Sequence, residues 1–187
     1  MAQNGFREEV IIAGFGGQGI LLAGKLLAQT AMSAGKEVTF MPSYGAEMRG
    51  GTANCTVIIA DKPIASPQAS RPNSLIAMNK ASMNKFASRV KTGGLLIMNS
   101  SLIDTQPNSE QTVNILAIPA DDIALELGNK KAANMVALGA YLQKKGLFNC
   151  DTAAKNLPDV LAKRYHKTLP VNTEALQKGA EFAQNSV

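Results

Sequence analysis

Short apolar runs alternate with segments of helical periodicity along most of the chain. Runs rich in Val, Ile and Leu predict strands at residues 9–14, 38–41, 55–60, 75–78, 95–100 and 113–120. Helical spacing predicts helices at 18–34 and 79–90, a short one ending near Gly128, and three more at 132–145, 151–164 and 172–184. This alternation indicates one α/β domain over residues 9–185, Rossmann-like, with a mostly parallel sheet, helices on both faces and a helical C-terminal part.

The first predicted strand ends in a glycine-rich turn that matches the pattern G-x-G-x-x-G. Its candidate ligand-binding residues are Gly14, Gly16, Gly17, Gln18 and Gly19. Such glycines permit a sharp turn and let a phosphate approach the N–H groups of the following helix. Tight packing of that helix on the sheet is the alternative explanation. NAD binding is disfavoured, because the second strand ends in Phe40-Met41-Pro42 and not in the acidic residue that would hold a ribose.

The stretch PSYGAEMRGG, residues 42–51, follows the second strand, and its portion from Ser43 onward is predicted to be an exposed loop. It supplies four candidate binding side chains, Ser43, Tyr44, Glu47 and Arg49. In a doubly wound sheet this loop and the glycine turn reach the same edge and form a crevice. Arg49 then either binds a phosphate or carboxylate or forms an exposed ion pair with Glu47.

Composition narrows the possible chemistry. With 45% hydrophobic and 18% charged residues the chain is expected to fold, and its net charge of +5 is too dispersed for a nucleic-acid platform. Two cysteines and one histidine are too few to hold a structural zinc or an iron–sulfur cluster. Unpaired thiols and the absence of a signal peptide or membrane span favour a cytoplasmic protein.

A few other residues are expected to be structural. Cys55 is predicted to be a buried small hydrophobe, and His166 part of a solvated basic patch. Asn134 is predicted to cap a helix, in which Met135 and Leu138 form core or subunit contacts.

Three segments carry a resemblance to a known family: GFGGQGILLAGKLLA, MPSYGAEMRGGTANCTVIIADKPIASP and LGNKKAANMVALGAYL. They resemble the gamma subunit of 2-oxoacid:ferredoxin oxidoreductases, the family that includes pyruvate and 2-oxoglutarate synthases. The similarity extends from about residue 9 to residue 182. The segment SYGAEMRGGTANC is most similar to the 2-oxoglutarate type.

The resemblance implies a subunit that is inactive alone within a heteromeric complex. Such complexes convert a 2-oxoacid and coenzyme A to an acyl-CoA, with thiamine diphosphate and iron–sulfur clusters on partner chains. The implied partners are alpha, beta and ferredoxin-like delta subunits, with ferredoxin or flavodoxin as electron acceptor.

The resemblance also implies that the chain has no catalytic or metal-binding residue of its own. The glycine turn and the loop after the second strand are expected to face the thiamine centre and the route by which coenzyme A enters. Two alternatives stay open at this point. One is a free-standing nucleotide- or flavin-binding protein, and the other is a pure assembly scaffold.

Overall fold

The protein is described from a computed structural model, over residues 5–44, 51–107 and 112–186. Within these ranges six strands form one sheet, and all six predicted strands are confirmed. They are β1 (Arg7–Phe15), β2 (Glu37–Tyr44), β3 (Thr52–Ala60), β4 (Ser74–Ala77), β5 (Leu95–Asn99) and β6 (Asn114–Ile118). The first three are longer than the apolar pattern predicted, because their ends carry polar residues.

The strands are arranged in the order β2-β3-β1-β4-β5-β6. β1, β4, β5 and β6 run parallel, while β3 is antiparallel to both β1 and β2. The mostly parallel sheet is therefore confirmed, with an antiparallel hairpin at one side. Phe15 at the end of β1 lies opposite Thr52, and Tyr44 at the end of β2 lies opposite Ala53. The ends of β1 and β2 thus share one edge of the sheet.

β2 continues past Pro42, where the sequence pattern predicted its end. Pro42 lies opposite Cys55, and among the described strands β2 stands at the end of the sheet with β3 beside it. An edge strand needs ladder hydrogen bonds on one side only, and it therefore tolerates proline. Ser43 and Tyr44 consequently belong to a strand, which corrects the prediction of a loop there. Residues 45–50 of that predicted loop lie outside the described residues.

Six α-helices and three short 3₁₀ turns complete the described ranges, and each predicted helix is confirmed. The helices are α1 (Ile20–Ser33), α2 (Lys80–Phe86), α3 (Ala120–Glu126), α4 (Ala133–Lys145), α5 (Cys150–Val160) and α6 (Leu169–Asn185). The 3₁₀ turns are Ala87–Arg89, Lys130–Ala132 and Lys163–Thr168. In these ranges no helix combines the length and apolar character needed to cross a bilayer.

Helices cover both faces of the sheet, as predicted, but unequally. On one face α1, α3, α4, α5 and α6 pack over a large core, while α2 and the turn after it cover a smaller core on the other. β1 and β4 are parallel neighbours, yet the helices that follow them lie on opposite faces. Ligands of doubly wound proteins bind in the crevice at such a switch point, outside the carboxyl ends of the strands.

Helix α4 is fixed at both of its ends. At the far end buried Glu8 of β1 accepts hydrogen bonds from Ser74 (2.6 Å) and Tyr141 (3.2 Å), and its other carboxylate oxygen lies 2.9 Å from Nζ of Lys145. Removing one partner of such a buried pair is costly, so this cluster holds α4 against β1 and β4. The opposite end of α4 therefore has a defined position beside the end of β1.

Candidate functional site

The turn between β1 and α1 depends on the backbone conformation of its glycines. Gly17 and Gly19 have φ angles of 98° and 70°, a region that favours glycine. The N–H of Gly16 donates to the carbonyl oxygen of Gly51 at 2.9 Å, which joins the turn to the start of β3. A β-carbon on Gly17 would meet no atom of the described residues within 4 Å. Gly17 is thus required by its own backbone, and the space beside it is open.

The side-chain amide of Gln18 stabilises the turn through hydrogen bonds. Its Oε1 accepts hydrogen bonds from the N–H of Phe15 (2.7 Å) and from Nδ2 of Asn79 (3.2 Å). Its Nε2 donates to the carbonyl of Met78 at 3.2 Å. A β-carbon on Gly14 would lie 2.6 Å from Oε1 of Gln18. The packing explanation of the glycines therefore applies to Gly14, and the amide of Gln18 is occupied by protein partners.

Helix α1 begins at this turn without a side-chain cap. Its N-cap residue, Gly19, has no side chain to accept a hydrogen bond, and the first turn of the helix holds no acidic residue. The first N–H groups of a helix have no partner inside the helix, and they lie at the positive end of its dipole. Ile20, Leu21 and Leu22 line a crevice in front of the turn. The start of α1 therefore offers an anion both N–H donors and a partial positive charge.

A crevice of about 480 Å³ lies in front of the turn. The turn and the start of α1 form one wall, and the adjoining ends of β2 and β3 form a second. A third wall comes from the C-terminal helical part of the chain, through Asn129, Lys131, Asn134, Leu161, Tyr165, Thr168 and Asn172. A crevice of this volume takes a small ligand or one end of a larger one.

The described lining of the crevice favours a negatively charged ligand. Lys130 pairs with Asp121 at 3.7 Å, whereas Lys131 lines the crevice and forms no ion pair within the described ranges. None of the lining residues in these ranges is acidic. Two exposed tyrosines, Tyr44 and Tyr165, add aromatic surface from different walls. Aromatic rings beside a cationic group and a helix start suit a ligand with both a flat ring and phosphates.

Asn134 joins the third wall to the turn. It is the second residue of α4, whose N-cap is Ala132 and has no side-chain cap, so the prediction of Asn134 as a helix cap is wrong. Its Nδ2 instead donates to the carbonyl of Gly19 at 2.9 Å. A β-carbon on Gly19 would collide with that amide. Neither contact is visible in the sequence, because 115 positions separate the two residues.

The crevice unites some of the sequence-predicted binding residues and leaves others aside. Gly16, Gly17, Gly19 and Tyr44 line it. Gly14, Gln18 and Ser43 are not part of the lining, and the first two stabilise the turn instead. Glu47 and Arg49 lie outside the described residues, so their role stays a prediction.

The third wall was missed by sequence reasoning. Asn129, Lys131 and Asn134 lie in LGNKKAANMVALGAYL, a segment that carries the family resemblance, but nothing in its helical pattern marks a site. Tyr165 and Thr168 lie in KRYHKTLP, where the basic residues suggested only a solvated patch.

Both cysteines are free thiols packed among helices and strands. Burial raises the pKa of Cys55 to about 12 and that of Cys150 to about 11. Such thiols are poor nucleophiles at neutral pH, and Cys55 is confirmed as a buried small hydrophobe. Among the residues with described positions, no three His, Cys, Asp or Glu side chains are grouped as metal ligands would be.

Fold and crevice together define an α/β protein with an open crevice at the switch point of its sheet, lined by no acidic residue within the described ranges. Residues 9–182 match the family described as pyruvate ferredoxin/flavodoxin oxidoreductase, and the chain belongs to that family.

Curated relatives of the chain fall into two length classes. The 2-oxoglutarate synthase subunit KorC of Methanocaldococcus jannaschii is 33% identical over 180 residues, covering 95% of each protein. The ketoisovalerate oxidoreductase subunit VorA of Methanothermobacter marburgensis is 34% identical over 186 residues. That match covers 97% of this chain but 38% of VorA, so the chain spans well under half of that relative.

Solved structures agree with this relationship. The gamma subunit of the keto/oxoacid ferredoxin oxidoreductase of Geobacter sulfurreducens superimposes with a TM-score of 0.81 at 29% identity, covering 96% of this chain and 99% of that one. The 2-oxoglutarate:ferredoxin oxidoreductase of Magnetococcus marinus, solved with 2-oxoglutarate, coenzyme A and succinyl-CoA bound, also has a TM-score of 0.81, at 28% identity. That match covers 97% of this chain and 32% of the Magnetococcus chain.

Proposed function

We propose that this chain is the gamma subunit of a multi-subunit 2-oxoacid:ferredoxin oxidoreductase and is inactive without its partners. Family membership supports the reaction class. The similarity to KorC and to the Geobacter gamma subunit, over 95% and 99% of their lengths, supports the gamma-subunit role. The complex would oxidatively decarboxylate a 2-oxoacid and release an acyl-CoA.

The crevice at the start of α1 is the observation that supports a particular ligand. Coenzyme A has a pyrophosphate, a 3′-phosphate and an adenine ring. The uncapped helix start and Lys131 supply positive charge to the phosphates, and Tyr44 and Tyr165 offer rings to stack on adenine. Open space beside Gly17 allows a phosphate to approach the backbone. Coenzyme A is therefore the ligand that we assign to this crevice, with Arg49 as a further phosphate contact proposed from the sequence.

The remaining chemistry is assigned to partner chains. Thiamine diphosphate and iron–sulfur clusters would lie on alpha, beta and ferredoxin-like delta subunits, since this chain has only two cysteines and one histidine. Ferredoxin or flavodoxin would accept the electrons. The 2-oxoacid is proposed to be 2-oxoglutarate, because the chain is similar to KorC and contains the segment SYGAEMRGGTANC. VorA, another relative, is named as a ketoisovalerate oxidoreductase subunit.

The first experiment isolates the native protein from its cell with its partners attached. We expect larger subunits, a brown colour and dye reduction that depends on a 2-oxoacid. A yellow chromophore on an isolated chain would instead support a free-standing flavoprotein and contradict the proposal.

The second experiment tests the crevice in the assembled complex. Replacing the crevice cation (Lys131→Gln) or the proposed loop cation (Arg49→Ala) is expected to raise the KM for coenzyme A about threefold to tenfold, because each removes a charged phosphate contact. Lys178→Gln is the matched control, because Lys178 pairs with Glu181 on the exposed side of α6. If the KM for coenzyme A is the same in all three variants and in the wild type, the subunit serves as a scaffold without ligand contacts.

A further inference from the structure

The two outer strands of the sheet differ in length. β6 has five residues, whereas β2 has eight, from Glu37 to Tyr44. Within the described ranges β2 has β3 on one side and no strand on the other. The outer edge of a sheet carries backbone N–H and C=O groups without ladder partners, and another chain can pair with them. β2 is therefore the longer of the two edges at which the sheet could be extended.

The hydrogen bonds of β1 show which residues of β2 direct their backbone groups to this outer side. The N–H of Met78, the residue after β4, donates to the carbonyl of Ala13, so odd-numbered residues of β1 face β4 and even-numbered ones face β3. Ile12 therefore forms the ladder bonds with Cys55, which lies opposite it. Since Cys55 faces β1, its backbone groups point away from β2, and those of its opposite residue in β2, Pro42, point outward. The same alternation gives the outward residues of β2: Val38, Phe40, Pro42 and Tyr44.

Pro42 interrupts this outer edge. Proline has no backbone N–H, and its ring occupies the space from which that N–H would donate. An incoming strand would meet the missing donor between the outward groups of Phe40 and Tyr44, and one of its carbonyls would stay unpaired. Pairing along the full length of β2 is therefore unfavourable.

The rest of the edge has no charged residue that would prevent pairing. Residues 38–44, VTFMPSY, are uncharged, and Val, Thr, Phe and Tyr favour strands. Uncharged segments of high β-propensity pair with copies of themselves unless a proline or a charge interrupts them. Pro42 is exposed and is not part of the described lining of the crevice, so neither core packing nor the proposed ligand accounts for it.

We propose that Pro42 prevents a second copy of this chain from extending the sheet at β2. Two copies present the same edge to each other, so their β2 strands could pair about a twofold axis if the ladder were continuous. The inference rests on the geometry of β2 and not on the proposed ligand. A subunit that combines with different chains stays available to them when its longest edge does not pair with itself.

The experiment compares the full chain with Pro42→Val, which restores the N–H and keeps an apolar side chain that favours strands. Sedimentation velocity over a range of protein concentrations gives the dissociation constant of the dimer. We expect this constant to be at least about tenfold lower for Pro42→Val than for the wild type, because hydrogen bonds between the two edges are regained.

Two further variants serve as controls. Pro67→Val is matched, since Pro67 is also exposed but lies outside the described strands, and it is expected to leave the dissociation constant unchanged. Pro42→Lys restores the same N–H but adds a charge at the edge, and it is expected to associate less than Pro42→Val. If Pro42→Val does not fold, as judged by circular dichroism, Pro42→Thr is used in the same comparison.

Amide hydrogen exchange shows whether the association occurs at this edge. In the wild type the outward amides of Val38 and Phe40 should exchange fast, and those of Thr39 and Met41, which face β3, should exchange slowly. In the associated Pro42→Val chain, the amides of Val38 and Phe40 should become protected as well.

A Pro42→Val chain that dimerises no more tightly than the wild type would overturn the inference, and so would equal association of Pro67→Val. Association that leaves the amides of Val38 and Phe40 unprotected would overturn it too, because the contact would then lie elsewhere on the protein.

Discussion

The turn before α1 and the crossing of α4 with α6 both depend on glycine, for different physical reasons. At the crossing, a β-carbon on Gly139 would overlap the backbone carbonyl of Leu176, and one on Gly179 would overlap that of Val136. At the turn, Gly17 has a φ of 98° and open space beside it. Glycine at the crossing is required by a neighbouring backbone, whereas Gly17 is required by its own. Only the second situation leaves room for a ligand.

The glycine turn itself contains both kinds of glycine. Gly14 and Gly19 face side chains that a β-carbon would strike, whereas Gly17 faces open space. Tight packing therefore explains Gly14 and Gly19, while Gly17 leaves open space, and the approach of a ligand there stays a prediction. A motif of this type has to be interpreted one glycine at a time.

The largest expected effect is at the helix crossing. Gly139→Ala or Gly179→Ala forces two backbones apart, and we expect the free energy of unfolding to fall by about 3 kcal/mol or more. Urea unfolding of the variants measures the loss. Gly93→Ala is the control, since Gly93 has a φ of 76° with no atom near its missing side chain, and its cost is about 1 kcal/mol. Equal losses in all three variants would show that the neighbouring backbone at the helix crossing adds no cost beyond that of a strained glycine conformation.

A second prediction concerns the close contact of α1 with β3, where a β-carbon on Gly24 would collide with the thiol of Cys55. Burial raises the pKa of Cys55 from 9.0 to about 12, so the folded state keeps the neutral thiol. The contribution of this raised pKa to the free energy of unfolding is fully present below pH 9. It falls by about 1.4 kcal/mol per pH unit above pH 9 and is lost as pH rises through about 12. The difference in unfolding free energy between wild type and Cys55→Ala should shrink over this range. A difference that stays constant from pH 8 to about pH 11 would contradict the raised pKa.

A third prediction compares two glycines that both have a positive φ angle. Gly17 and Gly35 have φ angles of 98° and 75° and open space, so Gly17→Ala and Gly35→Ala should each cost about 1 kcal/mol of stability. Only Gly17→Ala adds a methyl group inside the crevice, and it should raise the KM for coenzyme A about fivefold in the assembled complex. Equal KM values for the two variants would show that the crevice does not receive the coenzyme at Gly17.

The smallest expected effect is a salt dependence. Raising ionic strength from about 0.05 M to about 0.5 M screens Lys131 from phosphate and should weaken coenzyme A binding by under about 1 kcal/mol. The same titration of Lys131→Gln should give a shallower slope, measured as KM against salt. Parallel slopes would indicate that Lys131 does not face a phosphate.

Local patterns predicted most of the fold. Each strand and helix has a continuous apolar run or a helical stripe, and a buried parallel sheet requires such runs. The end of β2 was predicted incorrectly because a proline stops a central strand, and the pattern does not say that β2 lies at an edge. Asn134 was misassigned for a similar reason: an asparagine near a helix start usually caps it, but here its partner is the carbonyl of Gly19.

The sequence by itself indicated the order of strands and helices along the chain, the glycine turn before a helix, and a composition with only two cysteines and one histidine. These features depend on residues close together along the chain or on composition. The tertiary structure alone decided which glycines are packed and which are open, and it brought Lys131, Asn134 and Tyr165 to the wall opposite the turn. Long-range contacts of this kind depend on how the helices cross one another and pack on the sheet. The spacing of residues along the chain does not predict them.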